Sequence, residues 1–184
     1  MIAFRSRRHL PTPLLLLVFA LLAACAPAPE PEDDAVDVIE FVRGNSADPE
    51  SLDPLQARSE PALNVLRDLH EGLTTLDAGG RVVPGAARSW RVSADGLAWV
   101  FELDPAARWS DGRPVQAGDF VLAFRQMAAS AGASPHRELF GAITGMSGDA
   151  DTPAVRADDQ RTVRIVLQRP TPWLDELLAH PAAS

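Results

Sequence analysis

The chain has 184 residues, 46% hydrophobic and 23% charged, with a formal net charge of −8. That is ordinary globular composition and excludes a wholly disordered chain; all 17 basic residues are arginine and no basic cluster follows Arg8, which argues against a nucleic-acid partner. One cysteine excludes an internal disulfide and a Cys/His zinc site of the usual spacing, so its position needs another explanation.

Arg5, Arg7 and Arg8 precede an unbroken apolar run from Leu14 to Cys25. This charged-then-apolar order is that of an export signal, and the run is too short for a hydrocarbon core of about 30 Å. It ends Leu22-Ala23-Ala24-Cys25, which resembles the bacterial lipoprotein signal. The resemblance implies a signal peptide over residues 1–24 and a lipid attachment site at Cys25, where several acyl chains, at about 0.8 kcal/mol per buried methylene, form an anchor. The competing reading is an Ala-x-Ala secretory site with a coincidental cysteine. Ala26 rather than aspartate after the cysteine would permit outer-membrane sorting in a cell that has an outer membrane. Residues 25–35 hold three prolines and four acids and read as a solvated tether. Removing residues 1–24 takes away three arginines and no acid, so the exported part is more acidic still.

The remainder, 36–184, reads as the folded body. Val36 to Val42 is β-branched and apolar and predicts a mostly buried strand. After Asp48-Pro49 and Asp53-Pro54, Ser59 caps a helix with Pro61 in its first turn, Leu63, Leu66 and Leu69 on one face, and Gly72 past its end. Leu73 to Val83 alternates around Ala78-Gly79-Gly80, and Trp90 to Leu103 around Asp95-Gly96, predicting two hairpins of a small antiparallel sheet. Asp111-Gly112 is a further turn, followed by a helix over 118–129 with Phe120, Phe124 and Met127 or Ala128 inward. A short helix near 137–143, a polar loop, a strand over 162–167 and a helix opening at Pro172-Trp173 complete the chain. Trp90, Trp99 and Trp109 read as cross-strand packing. The fold class is α/β, of the mixed α+β kind.

The segments NSADPESLDP (45–54), RDLHEGLTTLDAGGRVVPGAARSW (67–90), DGLAWVFEL (95–103), ARWSDGRPVQAGDFVLAF (107–124) and LLAHP (177–181) occur in that order. Together they closely resemble the N-terminal part of the family 5 extracellular solute-binding proteins, the oligopeptide- and dipeptide-binding receptors of ABC importers. The resemblance implies a periplasmic-binding-protein-like fold of type II, cut after the first strand and helix of its first lobe and most of the small, hairpin-rich second subdomain. It implies a binding protein rather than an enzyme: a monomer, lipid-anchored in the cell envelope on the extracytoplasmic face, with a peptide ligand and permease and ATPase partners, and no cofactor or metal. Carried over position by position, Ser59, Glu60, Pro61 and His180 become candidate ligand-binding residues. The plainer alternatives are that Glu60 serves the helix dipole and His180 faces water.

Two departures from the family pattern stand out. Gln116 takes the capping place before the 118–129 helix and Gly118 enters its first turn, which predicts a frayed start. Family members are also much longer, so the 36–42 strand is expected to lack sheet neighbours.

No catalytic motif is present, and the histidines at 9, 70, 136 and 180 are scattered in sequence. Asp149 and Asp151 resemble half a calcium loop without its glycine and glutamate. A small envelope lipoprotein interaction module and a non-functional truncated remnant are the rival readings, and a peptide, a nickel complex or a sugar all stay open as ligand.

Overall fold

The chain reverses at Ala78-Gly79-Gly80 and at Asp95-Gly96 because Gly80 and Gly96 take φ of 76° and 71°, a conformation that a side chain resists. In the computed structural model, which describes residues 40, 42–130, 134–147 and 152–184, these turns close two hairpins. β1 (Thr74–Leu76) pairs antiparallel with β2 (Val82–Pro84), and β3 (Ala87–Val92) with β4 (Ala98–Leu103). A later pair, β5 (Val155–Ala157) and β6 (Thr162–Val166), joins through β6 to β4. The result is a two-stranded sheet and a four-stranded antiparallel sheet in the order β3-β4-β6-β5, within a unit spanning Gly44–Ser184.

Alternation along the central strands decides which face is buried. Trp99, Phe101 and Leu103 of β4, and Val163, Ile165 and Leu167 on or just past β6, all point into the core. Against them lies α2 (Ala117–Ala129), whose Phe120, Val121, Phe124, Met127 and Ala128 recur at helical spacing and are buried. Phe101 is flanked by Trp90 at 6.0 Å and Trp99 at 6.1 Å between ring centres, and Phe124 meets Phe140 edge-on at 5.6 Å. On the outer face, Glu102 is shared by Arg88 and Arg91, and Asp158 by Arg156 and Arg164. The exposed pairs there add little stability, since exposed ion pairs are typically worth about 1 kcal/mol or less.

The first helix, α1 (Glu60–Leu69), leads through Gly72 into β1. Gly72 sits against the backbone carbonyls of Leu178 and Thr74, so close that a β-carbon there would overlap Leu178 O. The last elements, α3 (Leu174–Leu177) and a 3-10 turn over Pro181–Ala183, bury Leu174, Leu178, Ala182 and Ala183. They are tied to β1 by the Thr74 hydroxyl, which donates to Asp175 O at 2.6 Å.

Several expectations are corrected. The polar loop contains β5, an edge strand of three residues too short to show alternation. Leu69 is 63% exposed because it overhangs the buried stripe of Ala62 and Leu66. Trp90 and Trp99 pack against the sheet as expected, whereas Trp109 lies near the Asp111-Gly112 turn, 41% exposed, with Nε1–H donating to Asp119 Oδ2 at 3.1 Å. The same oxygen accepts the Gln116 backbone N–H at 2.8 Å, so Asp119 anchors a helix that begins at Ala117.

The signal peptide over 1–24, Cys25, the tether over 25–35, Asp149 and Asp151 lie outside the described residues. So does the strand read over 36–42, apart from Glu40 and Val42, which are irregular and exposed. Among the described residues no helix is long and apolar enough to cross a membrane.

Candidate functional site

Proline at 49, 54 and 61 keeps the chain before α1 extended or turned, and a carboxylate then fastens it. Glu50 accepts the backbone N–H of Arg58 at 2.6 Å and of Ser59 at 2.8 Å, and also the Ser59 hydroxyl. The Ser59 hydroxyl, then these two amides, hold the Glu50 carboxyl down at about 2, well below its ordinary value. Ser59 Oγ in turn accepts Ala62 N–H at 3.3 Å, the expected N-cap bond of α1. Asn45 Nδ2 donates to Pro61 O at 3.1 Å, closing the loop from its other end.

Ser59 and Pro61 are therefore occupied in shaping the turn. Glu60 is the first residue of α1, exposed and with no hydrogen bond or ion pair among the described residues, so its carboxylate faces solvent where the helix dipole favours it.

His180 does not simply face water. Its Nδ1 accepts Ala182 N–H at 3.1 Å, capping the final 3-10 turn, and its ring lies 4.6 Å from that of His136 at a 50° tilt. His136 is 7% exposed, and its Nε2–H donates to Ala57 O at 2.6 Å. Two histidines scattered in sequence thus form one contact joining the 57–61 turn to the C-terminal turn. Sequence reasoning missed both His136 and Glu50. Burial, followed by the charges of His136 and Arg67, pushes His180 down to about 4. Among the described residues no three His, Cys, Asp or Glu side chains gather as a metal site.

The depressed His180 has a stability consequence with a definite sign. Unfolded, the ring takes its proton near 6.5, whereas in the fold it does so only near 4. Its contribution is fully present above pH 6.5 and is lost as the pH falls from 6.5 toward 4. His180→Asn keeps an acceptor for Ala182 N–H and removes the titration. Urea midpoints of this variant should vary less across that window than those of the wild type, and equal slopes would contradict the assignment.

The chain matches the family described as bacterial extracellular solute-binding proteins, family 5 Middle, over residues 81–184. It is 37% identical over 152 residues to the periplasmic oligopeptide-binding protein OppA of Escherichia coli (strain K12), covering 78% of this chain and 28% of that protein. It is 38% identical over 150 residues to the periplasmic murein peptide-binding protein MppA of the same organism, covering 77% and 28%. Among solved structures, Haemophilus influenzae OppA in complex with the peptide RPPGFSPFR superposes with a TM-score of 0.69 at 33% identity, over 74% of this chain and 28% of that one. The chain spans about 28% of the length of these relatives. With the family match covering more than half of the residues, the chain belongs to the bacterial extracellular solute-binding proteins of family 5.

Proposed function

We propose that this chain is part of the substrate-binding lipoprotein of a peptide ABC importer, which captures oligopeptides or dipeptides outside the cytoplasmic membrane and delivers them to a permease driven by an ATPase. The observation that carries the reading is the similarity to Haemophilus influenzae OppA, solved with a peptide in place. The 57–61 turn, with Glu60 open to solvent and the His136–His180 contact behind it, forms this chain's share of the ligand wall. Glu60 meets a ligand cation, while Ser59, Pro61 and His180 hold the wall in shape. Binding shifts an equilibrium between open and closed arrangements, and no bond is made or broken. Cys25 carries the acyl chains, and residues 25–35 hold the folded unit off the membrane.

Two measurements test this. Titration calorimetry of the intact protein with short peptides should give saturable heat, and the absence of binding would overturn the receptor reading. Cys25→Ala should lose metabolic palmitate label and move from the membrane fraction to the soluble fraction, whereas an unlabelled wild type would remove the anchor.

A further inference from the structure

We propose that Glu50 is a positioning residue for peptide binding: by clamping the backbone of the 57–61 turn it holds the Glu60 carboxylate ready for a ligand cation, without itself meeting the ligand. The inference rests on the peptide-receptor reading above. The segment between the Asp53 turn and α1 belongs to no helix or strand, so its backbone donors need partners from elsewhere. Glu50 supplies them from eight and nine residues away. One carboxylate oxygen accepts both the Arg58 and the Ser59 amide, at 2.6 and 2.8 Å, and the other accepts the Ser59 hydroxyl.

The hydroxyl makes this more than a brace. A serine has one proton to give, and giving it to Glu50 leaves the lone pairs for Ala62 N–H at 3.3 Å, so the carboxylate also aims the cap of α1. A carboxylate accepts at both oxygens, whereas a carboxamide accepts at one end and donates at the other, so glutamine in its place cannot receive all three donors. The Ser59 hydroxyl, and after it the two amides, hold the Glu50 carboxyl down at about 2, which keeps the clamp charged at any pH ordinarily used to measure binding.

The same turn is gripped from its other side. Ala57, fully buried, turns its carbonyl to the His136 Nε2–H at 2.6 Å, and Asn45 Nδ2 donates to Pro61 O at 3.1 Å. Ala57 also packs with Ala62 and Leu66 in one small buried cluster. Backbone bonds at 57, 58, 59 and 61 thus bracket Glu60, which is itself exposed. A turn already ordered in the free protein needs less ordering when the ligand arrives, and its affinity is not reduced by the fraction of molecules in the wrong arrangement. Without Glu50 the backbone on the N-terminal side of Glu60 is released, and the carboxylate no longer stands at one place.

The test compares Ala-Lys-Ala with Ala-norleucine-Ala, which lacks the side-chain ammonium, each titrated into the intact protein by calorimetry. Wild type should prefer the lysine peptide by about fivefold, the scale of one exposed ion pair, and Glu50→Gln should cut that preference to less than about twofold. Glu60→Gln should remove it, and adding Glu50→Gln to Glu60→Gln should leave the ratio unchanged. Hydrogen exchange at the Arg58 and Ser59 amides should be faster in Glu50→Gln, with the β4 amides as slow as in the wild type. Glu50→Asp, which keeps the charge on a shorter arm, should fall between the two in both measurements, and it carries the comparison if the glutamine variant does not fold. Either variant keeping the full lysine preference would overturn the positioning role, as would equal weakening of both peptides, the mark of a brace that is merely structural. Wild type binding the two peptides alike would overturn it too and leave the receptor reading intact, whereas no binding of either would overturn both.

Discussion

Gly72→Ala is expected to destabilise the protein by about 3 kcal/mol or more, at the upper end for overpacking a closed site. The added methyl would overlap the backbone carbonyl of Leu178 and press on that of Thr74, neither of which can yield like the tip of a flexible side chain. Gly85 lies on the other side, with Gly72 O accepting Ala86 N–H at 2.9 Å, so the chain cannot slide away without breaking the strand bonds. Gly118→Ala provides the contrast, because nothing lies within 4 Å of the β-carbon there and it sits in the first turn of α2. That change should be neutral or stabilising by up to about 1 kcal/mol. Urea unfolding of the two variants beside the wild type checks both statements, and a Gly72→Ala protein with an unshifted midpoint would refute the first.

Phe101→Ala is expected to cost about 3–5 kcal/mol, the range for truncating a fully buried aromatic. Phe101 has no exposed surface and stands in the central strand between the rings of Trp90 and Trp99. The two indoles are held by β3 and β4 and cannot collapse into the gap, so the cavity term adds to the lost transfer energy. Phe101→Leu fills most of the space and should recover more than half of the loss. Denaturant midpoints, with tryptophan fluorescence reporting on the neighbouring indoles, check the pair.

What could be read from the residues was whatever a periodicity or a turn glycine encodes. The hairpins around Gly80 and Gly96, the α2 stripe of Phe120 and Phe124, and the Ser59 cap were all legible because each is settled within a few neighbouring residues. Val155–Ala157 was not, since three residues on an edge give no pattern. The site was legible only as far as the family motifs reached. Glu50 fastens a turn eight and nine residues away, and His136 meets His180 across 44 positions; no local rule marks either. Asp119, the third residue of α2, was not singled out either: its Oδ2 accepts from both the Gln116 backbone N–H and the Trp109 indole, and the second of these bonds spans ten residues.

The Thr74–Asp175 bond joins residues 101 positions apart, and the same closing segment buries Leu174, Leu178, Ala182 and Ala183. Because contacts between distant segments form only after the intervening loop has closed, a ribosome that has not yet reached Leu174 holds a chain whose first hairpin has nothing to seal it. The first hairpin is therefore sealed by a segment translated 101 residues after Thr74.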